Sequence, residues 1–330
     1  MDVDLEIVIV SWNVSALLAR CLDSILAQPG AGAPQGERVP LGGYRLRVHV
    51  VDNASGDDTC AMVAQRYPWV RLTRSEANLG FTGGNNLAIR QAEGRYILLL
   101  NPDTELAGGA LAAMLDYMEA YPRVGALGPQ LRYGDGRPQS SRRRFPTLGM
   151  ALMESTVLEQ WFPRNRWAAR YRMDDQPDDA PQAVDWLTGA CLLTRRAVWQ
   201  EIGLLDDGFF MYSEELDWCR RAADAGWERV YLPEAVVVHH EGQSSGQVAA
   251  RRHILFNASK VRYFAKHHGR WQAAFLRLCL LLGFGVQLGE EACKWALGHK
   301  RALRRERIRA YAEVIRSGLR RPTMINEETG

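Results

Sequence analysis

Short apolar, β-branched runs alternate along this chain with segments whose apolar residues recur every three or four positions. Residues 5–10 read as a buried strand, and residues 15–28 place Leu17, Leu18, Cys21, Leu22, Ile25 and Leu26 on one helical face. The alternation continues with strands at 45–51, 70–73 and 96–100 and helices at 57–67, 86–92 and 106–121. Further on, 184–194 has strand character around Gly189, 196–202 and 214–225 read as short helices, and 229–231 and 235–239 as closing strands. Residues 29–43 and 134–180 are rich in turn-forming and charged residues and read as irregular. After Gly246 the pattern is helical almost to the end. Such alternation predicts an α/β fold with a mainly parallel sheet covered by helices on both faces. Ligands of such sheets sit beyond the carboxyl ends of the strands, where Ser11, Asp52, Arg74 and Asp103 all fall.

The 330 residues suit one large domain plus an appendage, and 47% hydrophobic content permits a substantial core. The pattern divides the chain into a sheet-bearing domain at 1–245 and a helical extension at 246–330. The net charge of +3 hides an asymmetry, because 294–321 holds ten Lys or Arg against two Glu. A basic tail of this kind suits an anionic membrane surface; no nucleic-acid motif accompanies it, so no nucleic acid is expected as a partner. Residues 273–288 are apolar, but Arg277 and Gln287 interrupt them and the longest unbroken run, 278–286, is nine residues. A spanning helix needs about 20, so an interfacial helix is expected, with a helical hairpin packed on a second subunit (a homodimer) as the other reading. Six cysteines show neither CxxC nor zinc spacing, and the acidic start lacks a signal pattern, which points to a cytoplasmic enzyme or binding protein peripheral on the inner membrane face.

Five constellations carry candidate chemistry. Asn101-Pro102-Asp103 follows a buried apolar strand; a carboxylate there could hold Mg2+ or Mn2+, which take few protein oxygens and fill the rest of the sphere with phosphate and water. The plain alternative is a turn with Asp103 capping the next helix. Asp52-Asn53 ends another strand, where Asp52 could accept from a ribose hydroxyl or a base N–H, or simply form an Asx-turn. The segment 78–86, with Asn78, Gly80, Phe81 and Asn85, could let backbone N–H groups approach a ligand; it lacks the lysine of a Walker loop and equally describes a flexible loop. Glu214, Glu215 and Asp217 cluster at a helix start, where acids suit the dipole but also raise one another's pKa, as a general base requires. His239, followed by His240 and a glycine turn at Gly242, is a metal-ligand candidate if Asp103 holds a metal. Arg142-Arg143-Arg144 could grip a diphosphate or be a solvated run.

Together these segments, over about residues 5–245, resemble family 2 glycosyltransferases of the GT-A fold, a Rossmann-like mixed sheet with helices on both faces, and among them bacterial rhamnosyltransferases of cell-surface polysaccharide assembly. The resemblance implies a nucleotide pocket from Ser11, Asn13, Asp52 and Asn53, with 78–86 near the donor sugar and phosphates. It implies Asp103 as the metal-binding acid, with Asn101 where the motif usually has another acid, and His239 completing the metal site. It further implies Glu215 as general base, where Asp is usual, beside Glu214, and Trp186, Gly189 and Ala190 along the acceptor site. The implied reaction is metal-assisted transfer with inversion, from a dTDP- or UDP-sugar (dTDP-rhamnose by the resemblance) to a glycan or polyprenyl-diphosphate-linked acceptor. A nucleotidyltransferase is disfavoured because Ser11-Trp12-Asn13 lacks a Gly/Lys-rich loop, while Asn101 and Glu215 leave open a sugar-nucleotide or glycan binding module without catalysis.

Overall fold

The computed structural model describes residues 2–155, 158, 161–162, 165–240 and 249–320. Two compact units emerge: Met1–Phe145 with Gln176–Asp207 and Glu214–Ser244, and Pro146–Asp175 with Gly208–Ser213 and Ser245–Gly330. Residues 146–175 and 208–213, which the sequence places with the sheet-bearing domain, group with the helical unit.

The first unit begins with β1 (Leu5–Ser11), α1 (Ser15–Leu26), β2 (Val39–Leu41), β3 (Tyr44–Asp52), α2 (Thr59–Arg66), β4 (Arg71–Arg74), α3 (Gly80–Ile89) and β5 (Tyr96–Leu100). It continues with β6 (Thr104–Leu106), α4 (Ala110–Ala120), β7 (Val124–Arg132), β8 (Pro138–Gln139) and β9 (Arg142–Arg143). One sheet runs in the order β10-β13-β7-β12-β5-β1-β3-β2, where β10 is Gln182–Ala183, β12 Cys191–Arg195 and β13 Glu228–His239. β1 is parallel to β3 and β5, whereas β12 is antiparallel to both β5 and β7, so the sheet is mixed. Its inner strands are buried on both faces, as the apolar runs of β1 and β5 require. The exception is Glu6, fully buried on β1 with Arg47 3.6 Å away; burial outweighs that guanidinium and pushes the Glu6 pKa up.

Several sequence expectations change. Most of residues 78–86 is not a loop: α3 already starts at Gly80, after Asn78 and Leu79. A Cβ on Gly84 would come within 2.7 Å of Val10, so this glycine lets the helix lie close on β1 rather than opening backbone to a ligand. The strand β7 escaped the periodicity because Gly125, Gly128 and Pro129 break its pattern; a Cβ on Gly128 would meet Leu187 at 2.7 Å. The expected 106–121 helix splits into β6 and α4, and 184–194 into β11 (Trp186–Leu187) and β12. The two closing strands are one, β13, with a register shift between Leu232 and Val236. β11 pairs with β9 as a separate ribbon, and α7 (Arg196–Ile202) and α8 (Glu214–Asp224) precede β13.

The second unit contains α5 (Leu148–Ser155), α6 (Arg166–Tyr171), α9 (Ala249–His267), α10 (Arg270–Ala296) and α11 (Arg301–Ser317). Ala273, Leu276, Leu280 and Phe284 form the buried face of α10, and Trp271, Phe275, Leu278, Leu282 and Val286 its exposed face. By length and composition alone, this 27-residue helix is long and apolar enough to cross a membrane. Its polar groups find partners within the unit, however. Arg277 donates to the Gly318 carbonyl at 2.6 Å, and the buried Glu291 meets Arg304 at 2.8 Å.

Candidate functional site at the carboxyl edge of the sheet

The loops after β1 and β3 lace together. Asn13 and Ala54 take left-handed φ values of 54° and 62°, a strained choice for residues with a Cβ. Hydrogen bonds hold it: Asn13 N–H to Ser55 Oγ at 3.0 Å, Gly56 N–H to Asn13 Oδ1 at 2.7 Å, and Ser55 N–H to Asp52 Oδ2 at 3.1 Å. The Asx-turn therefore exists, and Asp52 still retains a second oxygen, Oδ1, buried without a partner beside the equally orphaned Ser11 Oγ, its register neighbour. Unpaired buried acceptors of this kind are costly unless something fills them. Asn53 ties this edge to the start of α3, accepting from Leu79 N–H at 2.9 Å and donating to Asn78 Oδ1 at 3.1 Å and Gly80 O at 3.0 Å. Asn85 donates to the Phe81 carbonyl at 2.8 Å, so its amide serves the helix itself. A cleft between the start of α1 and the length of α2, lined by Asn13, Ser15, Asp57 and Arg66 among others, includes neither Asp103 nor Glu215.

Asn101-Pro102-Asp103 does form a turn, closed by Thr104 Oγ1 donating to the Asn101 carbonyl at 2.7 Å. Asp103 does not cap a helix, because β6 follows. β6 pairs with β13 so that Thr104 faces His239, and His240 N–H donates to the Asp103 carbonyl at 2.9 Å. This register brings His239 Nε2 to 3.3 Å from Asp103 Oδ1, and Asn101 Nδ2 to 3.4 Å from the same ring nitrogen. Asp103 is 4% exposed and its Oδ1 has no hydrogen-bond partner. A buried carboxylate oxygen facing an imidazole nitrogen fits a divalent cation, as would a donor set of one hard oxygen and one imidazole. Among the described residues no group of three His, Cys, Asp or Glu could hold an ion, so phosphate and water would supply most of the sphere. His240 is committed elsewhere, to Glu105 at 2.8 Å, and the Gly242 turn lies outside the described residues.

The β5–β12 seam links this corner to the acids. Asn101 N–H donates to the Ala190 carbonyl at 2.9 Å, and the neighbouring Gly189 N–H donates to Glu215 Oε1 at 3.4 Å. Phe81 and Glu215 both pack at Gly189. Burial raises the pKa of Glu214 and of Glu215; for Glu214 the adjacent Glu215 charge raises it further, whereas Glu215 is eased by N–H groups including that of Gly189 and by the Arg143 charge. Glu214 is buried and Glu215 half-buried, and the Oε2 of each is enclosed without a partner. The pair thus divides its roles by environment: Glu214 keeps its proton and Glu215 ionises first. Arg143 stacks on Trp186, whose Nε1 donates to the Arg144 carbonyl at 3.0 Å.

Two of the sequence candidates turn out to be framework. Asp217, grouped by sequence with the catalytic acids, is fully buried and paired with Arg221 at 2.9 Å, which also donates to the carbonyls of Ile202 and Leu204. Arg142 donates to Gln182, Gln176 and Pro177 and stacks on Tyr231, so it anchors its own strand. Conversely, sequence reasoning passed over Gln139, whose Oε1 lies 2.9 Å from His239 Nδ1, because a lone glutamine in an irregular stretch carries no spacing signal.

Comparison with known proteins bears on the family and the fold. Residues 6–221 match the model of the family described as glycosyl transferase family 2. The chain is 36% identical over 247 residues, 71% of its own length and 80% of the relative's, to an N-acetylglucosaminyl-diphospho-decaprenol L-rhamnosyltransferase of Mycobacterium tuberculosis. It is 26% identical over 200 residues, 57% of this chain and 70% of the relative, to rhamnosyltransferase WbbL of Escherichia coli. Among solved structures, a mannosyltransferase from Pyrobaculum calidifontis in complex with GDP-Man and Mn2+ superposes with a TM-score of 0.52 at 19% identity, covering 94% of this chain and 84% of that one. GalNAc-T7 with UDP, GalNAc and Mn2+ gives 0.53 at 16% identity, over 72% of this chain and 43% of that one. These two likenesses concern the fold, which is GT-A-like. The family match covers residues 6–221, well over half of the chain and ending before β13 and His239, and the chain therefore belongs to glycosyltransferase family 2.

Proposed function

We propose that this glycosyltransferase moves rhamnose from dTDP-rhamnose to a hydroxyl of a polyprenyl-diphosphate-linked saccharide, with inversion. The observation that carries the reading is the β5–β12 seam: it draws the Asp103–His239 pair and a carboxylate of raised pKa toward the same two residues, Gly189 and Ala190. Glu215 is the base that removes the acceptor proton, and Gly189 N–H and Arg143 orient its carboxylate. Asp52 Oδ1 and Ser11 Oγ are free to hold the nucleoside. Asp103 and His239 would hold Mg2+ or Mn2+, which supplies neutralising charge for the leaving diphosphate. Arg143 and Arg144 would face the acceptor's diphosphate or that of the donor. The donor and acceptor rest on the printed activity of the mycobacterial relative and on its 36% identity.

The test is a panel of dTDP-rhamnose and UDP-, GDP- and dTDP-hexoses offered with Mn2+ or Mg2+ and a polyprenyl-diphosphate GlcNAc acceptor. Transfer from dTDP-rhamnose, with the product anomer opposite to the donor's, is expected. Transfer from another sugar nucleotide alone overturns the donor, and binding without transfer from any overturns the enzyme reading in favour of a binding module.

The same proposal places the second unit on an anionic membrane surface at the cytoplasmic face, the location of such an acceptor. The exposed face of α10 bears no charged side chain from Ala274 to Gly289, and α11 beside it is rich in arginine. The partners of Arg277 and Glu291 favour a helix lying on the membrane over one crossing it. Each leucine moved into lipid contributes about 1.5–3 kcal/mol. Leu278→Glu with Leu282→Glu should therefore lower partitioning onto phosphatidylglycerol vesicles by at least about 100-fold in a sedimentation assay. Unchanged partitioning together with a dimer that dissociates in the double variant would assign the face to a second subunit instead.

A further inference from the structure

Gln139 belongs to β8, which pairs with β7 so that Gln139 lies opposite Leu131. Its Oε1 reaches His239 Nδ1 at 2.9 Å. A carbonyl oxygen can only accept, so Nδ1 carries the ring proton in this contact. Asn101 Nδ2, which can only donate, lies 3.4 Å from the other ring nitrogen. Both neighbours thus select one tautomer, with hydrogen on Nδ1 and a lone pair on Nε2. That lone pair points to the same corner as the unpartnered, buried Asp103 Oδ1, 3.3 Å away. Two lone-pair atoms so placed repel each other unless a proton or a metal cation joins them.

We propose that Gln139 is a positioning residue that sets the tautomer and ring orientation of His239 for divalent-cation binding. The inference rests on the reading of Asp103 and His239 as the metal corner. The ring nitrogen away from a metal is ordinarily held by an acceptor of this kind, and loss of that acceptor weakens metal binding by about 10–100-fold. Gln139 acts on the proposed metal corner through the imidazole, by its contact with His239 Nδ1.

The experiment measures Mn2+ affinity of the full chain by the EPR signal of free Mn2+ with UDP present, alongside the His239 tautomer from long-range 1H–15N NMR of metal-free protein. Thermal melting confirms that each variant is folded. Gln139→Leu is expected to weaken Mn2+ binding about 10–100-fold and to lose the pure Nδ1–H pattern. Gln139→Glu retains an acceptor and is expected to hold Mn2+ within a few-fold of the parent. Asp103→Asn and His239→Ala act as references. If they weaken Mn2+ binding and Gln139→Leu does not, or if the parent carries its proton on Nε2, the inference about Gln139 is overturned while the metal corner stands. If neither reference variant alters Mn2+ binding, both fall.

Discussion

Glu215→Gln is expected to cut turnover by about 10²–10⁴-fold, the usual contribution of a positioned base, while leaving donor affinity close to that of the parent. The amide keeps the shape and can still accept from Gly189 N–H, but it cannot take a proton. Single-turnover transfer and calorimetric donor titration measure the two quantities separately; turnover within a few-fold of the parent would remove Glu215 from the role. The sign of the pH dependence follows from its surroundings. Burial raises the Glu215 pKa above the ordinary carboxylate range, and only the deprotonated form is a base. Activity should therefore fall, as pH drops, through that raised value, at higher pH than for an exposed glutamate at about 4.3. The residual activity of Glu215→Gln should lack this limb.

Asp103→Asn is expected to lower kcat by on the order of 10²–10³-fold, the scale seen when one preorganised group facing developing charge is lost. The substitution also supplies the most direct check on the cation. With Asn101 in the position where an acid is usual, Asp103 is the one carboxylate facing His239 Nε2 among the described residues, and His239 cannot replace its charge. Saturating Mn2+ should recover part of the loss in Asp103→Asn and none of that in Glu215→Gln. Parent activity unchanged by chelator treatment, without added metal, would remove the cation from the mechanism.

Much of this was legible in the sequence where local pattern and burial coincide. β5 announces itself as five consecutive buried apolar residues, and α7 and the start of α8 fall where their periodicity places them. The pairing of Asp103 with His239 was readable only as a conditional, since 136 positions separate residues that a strand register brings together. Long-range pairing also explains the failures. β7 is a strand because β12 and β13 flank it, although its glycines and proline argue locally for a loop. Asp217 grouped with the acids by proximity, although Arg221 stands at ion-pair spacing four residues on; what the sequence did not show is that Asp217 is buried and the pair is framework. The glycines of α3 look like a ligand loop until Val10 is seen beneath Gly84.

The β5–β12 seam also sets a rule for engineering. Leu100 faces Cys191 and Tyr96 faces Arg195, in unbroken antiparallel register. Sliding β12 by one residue would exchange its two faces and detach Gly189 from Glu215 and Ala190 from Asn101 together. Acceptor preference can therefore be retuned by substitution at fixed length along this stretch, whereas a single-residue insertion or deletion between Leu187 and Cys191 would uncouple proton removal from departure of the diphosphate in one event.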